Sequence, residues 1–202
     1  YALAHDLHGP LIAVAGLCGV LEQKAPALAA GEVARIRSNA RVMGEMIDSL
    51  QALALIGRSE VKGQWVDLAN IAYSCEAVHA QHGMRGVHVD VQGPLLVYGD
   101  PQLLTLVVDE LLANASKFAR EGTPPRVQMV ADPEGSVAGA SGYRGFSIAD
   151  NGIGFPPEHT GNLFRPFQRL HPHSRFEGQG MGLVKVASVV QLHDGDITVE
   201  SV

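Results

Sequence analysis

Between residues 1 and 58 the apolar positions keep helical spacing. Leu7, Leu11, Val14, Leu17 and Leu21 recur every three or four residues and mark one face of a first helix. Pro26 and Gly31 punctuate the chain, and a second periodic run begins at Gly31-Glu32. It holds two interleaved seven-residue series, Ile36, Met43, Leu50 and Val33, Ala40, Ile47, Ala54. That seam is what helices in a bundle bury against one another. Two helices cannot enclose a core, so the pattern predicts an antiparallel hairpin completed by a second copy into a dimeric four-helix bundle.

The polar, glycine-flanked stretch at 57–64 predicts a boundary between one domain at 1–58 and another at 65–202. Beyond it Trp65-Val66-Asp67-Leu68 leads into an amphipathic helix near 68–80, and 87–91 alternates as a strand does. Asp100 before Pro101 is a helix start, with the helix running from Gln102 to about Arg120. Strands are predicted at 126–131 and 145–149, joined by a glycine-rich hairpin at 133–142. A helix at 181–193 precedes a terminal strand at 196–202. The fold class expected is α+β: a helical hairpin, then a two-layer α/β sandwich.

Composition narrows the function classes. Apolar residues make up 46% and charged residues 18%, which suits globular domains rather than a disordered tail or rod. Fifteen basic against 21 acidic residues leave a net charge of −6 with no basic stripe, so no nucleic-acid partner is expected. No apolar run is long enough for a membrane segment, and the opening Tyr-Ala-Leu-Ala-His-Asp is not a signal peptide. Cys18 and Cys75 lie far apart, which predicts reduced thiols and a cytoplasmic setting. Ten of the 23 glycines fall between Gly135 and Gly182, where they predict loops around a site.

Four clusters can carry chemistry. In Asp150-Asn-Gly152-Ile-Gly154-Phe155 a carboxylate at a strand end can accept a hydrogen bond from an amine such as the exocyclic amino group of adenine. The same residues also make an ordinary turn. Gly178-Gln-Gly180-Met-Gly182 opens a helix, where backbone N–H groups and the helix dipole favour phosphate; a plain flexible loop reads the same way. Glu110, Asn114 and Lys117 share a helical face, followed by Phe118. Carboxylate and amide oxygens suit Mg²⁺ and the lysine suits phosphate, although a solvated face has the same pattern. In His5-Asp6-Leu-His8-Gly9-Pro10 the proline frees the Asp6 carbonyl, and an imidazole beside a carboxylate is a candidate nucleophile. His171-x-His173 has no third ligand at a matching spacing and is read as part of a loop.

In their order along the chain these clusters resemble the sensor histidine kinases. His5 to Leu11 is similar to the H-box and Glu110 to Phe118 to the N-box. Asp150 to Phe155 resembles the G1 box, Leu163-Phe-Arg-Pro-Phe167 the F-box and Gly178 to Leu183 the G2 box. Gly99-Asp100 and the stretch 167–171 resemble the phytochrome-like branch. The resemblance implies a HisKA-type dimerisation and phosphoacceptor domain at 1–58 and a GHKL ATP-binding domain at 65–202. It implies an ATP-dependent protein-histidine kinase of a two-component system, with ATP and Mg²⁺ as cofactors. The implied partners are a second copy of the chain and a response-regulator receiver domain. His5 is implied as phosphoacceptor, with Asp6 as the acid that activates it. Asn114 is implied as Mg²⁺ ligand and Glu110 as catalytic and second metal-side residue. Lys117 would contact phosphate, Phe118 would pack near the base, and Asp150 would read adenine on the turn of Gly152 and Gly154. Gly178, Gly180 and Gly182 would hinge an ATP lid spanning about 170–180.

Three features depart from the family pattern: His8 where Arg or Gln is usual, Gly9 where Thr or Asn is usual, and Glu110 in place of the frequent Asn. Glu110 is a variation the family also shows, but the His8-Gly9 pair keeps open a rival from another class, a degenerate kinase serving as a non-enzymatic dimeric scaffold or phosphorelay docking module. A sensor and the family's closing strands are expected outside these 202 residues.

Overall fold

Helices α1 (Ala2–Lys24) and α2 (Glu32–Ile56) pack together as a hairpin in a computed structural model of the chain. The structure describes residues 2–24, 31–81, 86–132, 145–168, 176 and 179–201, with backbone alone at 2–8 and 132. The chain forms two compact units, Tyr1–Arg58 and Ser59–Val202. In the first, Pro10 sits inside a continuous α1.

The two seven-residue series of α2 divide their work. Val33, Ala40 and Ile47 are buried within the hairpin, where Val33 meets Cys18 of α1. Ile36, Met43 and Leu50 are about half exposed, at 49%, 53% and 48%, and Ala54 also faces solvent. The α1 face expected from spacing turns largely outward too, since Val14, Leu17 and Leu21 are exposed while Cys18 points in. Across the hairpin Arg37 Nη1 donates to Glu22 Oε2 at 2.7 Å.

The second unit is built on two sheets. Strand β1 (Gln64–Asp67) pairs antiparallel with β3 (Leu96–Gly99), with Trp65 opposite Tyr98. Strands β2 (His88–Gln92), β4 (Arg126–Asp132) and β5 (Gly145–Asp150) form the larger sheet in the order β2-β4-β5. β2 and β4 run parallel, which requires a crossover, and α4 (Pro101–Lys117) lies between them in the chain. β5 returns antiparallel to β4.

Helix α3 (Leu68–Gln81) and α4 form the second layer. Leu68 and Ala72 of α3 and Val108 and Leu112 of α4 bury against Val89 of β2 and Val127 and Met129 of β4. Each such Val, Leu or Met side chain, fully buried, contributes roughly 1.5–3 kcal/mol relative to exposure. Helix α5 (Gly182–Leu192) packs on α4 and buries Val184, Val186 and Val189. Among the described residues no helix is long and apolar enough to cross a membrane.

Two expectations need correction. The β1–β3 ribbon was not foreseen, because two four-residue strands are too short to display a period. The terminal strand at 196–202 is not formed over its described residues. Ile197 and Val199 are half-buried and Asp196, Thr198 and Glu200 exposed, so the alternation is present. Alternation selects a face, but a ladder needs a second edge, and no described strand pairs with this segment. The glycine-rich hairpin expected at 133–142 lies outside the described residues.

Asp100 starts α4 as its sequence implies. Its Oδ1 accepts from the N–H groups of Gln102 and Leu103 at 2.9 and 3.2 Å, and Oδ2 accepts from Lys62 N–H at 3.1 Å. The Asp100 N–H donates to His193 Nε2 at 2.9 Å, and His193 Nδ1 donates to the Val189 carbonyl at 2.8 Å. Burial alone would push the Asp100 carboxyl up, but the N–H groups of Lys62, Leu103 and Gln102 and the nearby His193 outweigh it and hold it below the usual carboxylate range.

Asp100→Ala is therefore expected to lower stability by about 1–2 kcal/mol at neutral pH. A carboxyl with a depressed folded-state pKa stabilises above its unfolded pKa, near pH 4, and ceases to do so as pH falls through the folded value. Urea unfolding of both proteins should show the difference at about pH 7 and a smaller one at about pH 3. A difference that does not shrink in acid would contradict this role.

Candidate functional site

The site is assembled on α4, whose one face carries Glu110, Asn114 and Lys117 and whose C-terminal cap is Phe118. Gly182, the first residue of α5, comes down onto that face. A Cβ built on Gly182 would lie 2.7 Å from Glu110 Oε2 and 3.5 Å from Asn114 Nδ2, so any larger residue would push the Glu110 carboxylate aside. One turn later Lys185 Nζ donates to Glu110 Oε1 at 2.7 Å, with both side chains about four-fifths buried. Glu110 thus gives one oxygen to Lys185 and directs the other toward Gly182.

The strand end at Asp150 is fastened to the same helix. Asp150 Oδ1 accepts from Gly152 N–H at 2.7 Å, closing a tight turn, and the residue remains exposed. A Cβ on Gly152 would meet Asp150 Oδ1 at 2.6 Å and the Phe118 carbonyl oxygen at 2.8 Å. Ile153 N–H donates to that carbonyl at 3.0 Å, and Arg120 Nε donates to the Gly152 carbonyl at 2.8 Å. Gly154 has φ 65° and Gly180 has φ 71°, conformations that glycine adopts without strain.

The aromatic cap gathers further contacts. Phe118 meets Phe176 edge to face at 5.1 Å between centroids, and Lys117 Nζ lies 4.5 Å from the Phe118 ring centre. The structure therefore brings Glu110, Asn114 and Gly182 together, and separately joins Phe118 to the turn of Asp150 and Gly152. Gly178 and most of the expected lid lie outside the described residues. His5 and Asp6 lie on α1 of the first unit, where the backbone alone is described.

Sequence reasoning missed four contributors. Lys185 and Arg120 have no role in that reading, and Phe176 falls within the expected lid. Asn151 accepts from Arg126 N–H at 2.9 Å and donates to the Pro124 carbonyl at 3.0 Å, locking the end of β5 to the start of β4. None of the four carries a local signal of its role in the sequence.

The donor set suits a hard cation held partly by its ligand. Among the described residues no three His, Cys, Asp or Glu side chains cluster as a metal cage. Mg²⁺ is commonly held by one or two protein oxygens plus phosphate and water, which the Glu110 carboxylate and the Asn114 amide can supply. Gly182 brings the start of α5 against that carboxylate and against the Asn114 amide nitrogen.

A helical layer on a mixed sheet, with carboxylate and amide on the long helix facing a glycine-opened helix, defines the class of protein. Residues 99–202 match the model of the Histidine kinase-, DNA gyrase B-, and HSP90-like ATPase family, and the chain belongs to that family. Within it the similarity is to sensor histidine kinases. Methanogenesis regulatory histidine kinase FilI of Methanothrix harundinacea is 27% identical over 100% of this chain and 22% of its own length. Phytochrome-like protein Cph1 of Synechocystis sp. is 27% identical over 100% of this chain and 27% of its own length. The solved structure of the mycobacterial sensor histidine kinase MprB matches with a TM-score of 0.54 at 27% identity, covering 68% of this chain and 85% of that one. The chain thus spans 22% and 27% of those first two relatives.

Proposed function

We propose that this chain is the catalytic core of a two-component protein-histidine kinase that phosphorylates His5 from ATP and passes the phosphoryl group to an aspartate of a response-regulator receiver domain. The observation that carries the reading is the seating of Gly182, the opening residue of α5, against the Glu110 carboxylate and the Asn114 amide of α4. Residues 1–58 serve as the dimerisation and phosphotransfer domain and 65–202 as the ATP-binding domain, acting in the cytoplasm.

Asp150 accepts a hydrogen bond from the adenine amino group through the oxygen that Gly152 leaves available. Phe118 packs near the base and Lys117 contacts phosphate. Asn114 and Glu110 hold Mg²⁺, which when bound neutralises phosphate charge and orients the transferring group. Gly178, Gly180 and Gly182 hinge the lid. A His5 ring nitrogen attacks the γ-phosphorus as the bond to the bridging oxygen breaks and ADP leaves, while Asp6 orients and polarises the imidazole.

Incubation with γ-labelled ATP and Mg²⁺ tests the reading. Acid-labile, alkali-stable label on the protein is the expected result, and its absence from a folded protein that binds ATP would favour the scaffold alternative.

The outward series Ile36, Met43 and Leu50 is the surface through which two copies associate. Met43→Glu or Leu50→Glu is expected to convert dimers to monomers in sedimentation velocity. A folded Leu50→Glu protein that sediments as the unmodified chain does would contradict that seam.

Gly9 bears on phosphatase activity. A side chain one helical turn after His5 can orient a water toward a regulator's phospho-aspartate, and glycine has none. A Cβ at Gly9 would meet nothing within 4 Å among the described residues, so the backbone has room for a side chain to begin there. The unmodified chain with ADP is expected to leave a purified phospho-regulator intact, and Gly9→Thr to accelerate its decay. Rapid dephosphorylation by the unmodified chain would show that another group holds the water.

A further inference from the structure

Glu110 is not a bare carboxylate. Its Oε1 accepts from Lys185 Nζ at 2.7 Å, in a pair whose side chains are only 20% and 21% exposed. Its Oε2 faces the Gly182 Cα with Asn114 Nδ2 alongside. The ammonium therefore sits on the same carboxylate whose other oxygen faces Gly182, in surroundings where solvent screens charge less than at an open surface. Its position follows from the fold. Lys185 lies three residues into α5, and Gly182 brings that helix onto α4 closely enough for the lysine to reach across.

We propose that Lys185 is a positioning residue that sets the metal requirement of the nucleotide site. The inference rests on the nucleotide-binding reading above. The ion pair carries no net charge, so the wall of the site beside the phosphates is neutral rather than anionic. It also orients Glu110, leaving its second oxygen toward Gly182. With Lys185 neutralised, Glu110 repels the phosphate chain whenever Mg²⁺ is absent and attracts the cation more strongly whenever it is present. The enhancement of ATP affinity by Mg²⁺ is thus held down by Lys185. A loss of packing alone would weaken binding to the same extent with and without the metal.

The test is ATP binding by calorimetry on the full 202-residue chain, in chelator and at saturating Mg²⁺. The quantity read is the ratio of the two dissociation constants. Lys185→Gln removes the charge but keeps a polar donor on a side chain one bond shorter, and Lys185→Met removes both; each should raise the ratio about tenfold. Lys185→Arg keeps the charge and should retain the original ratio. An unchanged ratio in the Gln and Met variants, or an equal rise in the Arg variant, would overturn the role of the lysine charge. If the unmodified chain bound no ATP under either condition, the nucleotide reading itself would fall and this inference with it.

Discussion

His5→Gln is expected to reduce incorporation of label from γ-labelled ATP to background while leaving ATP affinity unchanged. Glutamine keeps the length and polarity of the side chain but offers no nitrogen nucleophile comparable to imidazole. His5 lies on α1 in the first unit, whereas Glu110, Asn114, Asp150 and Gly182 all lie in the second. Removing the acceptor therefore leaves the residues proposed to hold nucleotide intact. Phosphorylation and calorimetric ATP binding, measured on the same preparation, separate the two effects. Label persisting on the His5→Gln protein would assign the acceptor elsewhere, and a parallel loss of ATP affinity would mean that the substitution acts through the fold.

Asp150→Ala and Asn114→Ala should fail in different ways. Losing Asp150 removes a charged hydrogen-bond acceptor, worth roughly 1.5–3 kcal/mol, so ATP and ADP should both bind on the order of ten- to a hundredfold more weakly. Asp150 also closes its own turn through the 2.7 Å bond from Gly152 N–H. Asp150→Asn is the control: its amide oxygen can still accept from Gly152 while its charge and second acceptor are lost. Asn114→Ala should instead reduce phosphorylation more than it reduces ADP binding, since it removes a metal oxygen rather than a base contact. Calorimetry with both nucleotides, set beside phosphorylation rates, distinguishes the patterns. Matching defects in the two variants would count against separate roles.

Long, regular stretches of this fold were legible in its residues. The helical period over α1 and α2, the Asp100-Pro101 start of α4 and the alternation across β2 each mark their element correctly, although on α1 the expected apolar face turns largely outward. The glycines that face the site were legible as well. Gly152 and Gly182 stand where a side chain would strike Phe118, Asp150 or Glu110, and glycine-rich turns before or after a regular element suggest such close approach. The comparisons add the family, but the individual roles of the site residues rest on the tests above.

What sequence determined by itself was therefore local: which residues turn, which coil, and which polar groups share a helical face. The rest required the packed chain. Two apolar series on α2 look equivalent in sequence, yet Val33, Ala40 and Ile47 close the hairpin while Ile36, Met43 and Leu50 face outward, because the position of α1 chooses between them. At 196–201 alternation survives without a ladder, since pairing depends on a neighbouring edge that no local pattern supplies. Lys185 reaches Glu110 across 75 residues of chain. Nothing in either residue's neighbourhood announces that bond; it exists because a glycine lets α5 settle on α4, and charge then finds its partner at 2.7 Å.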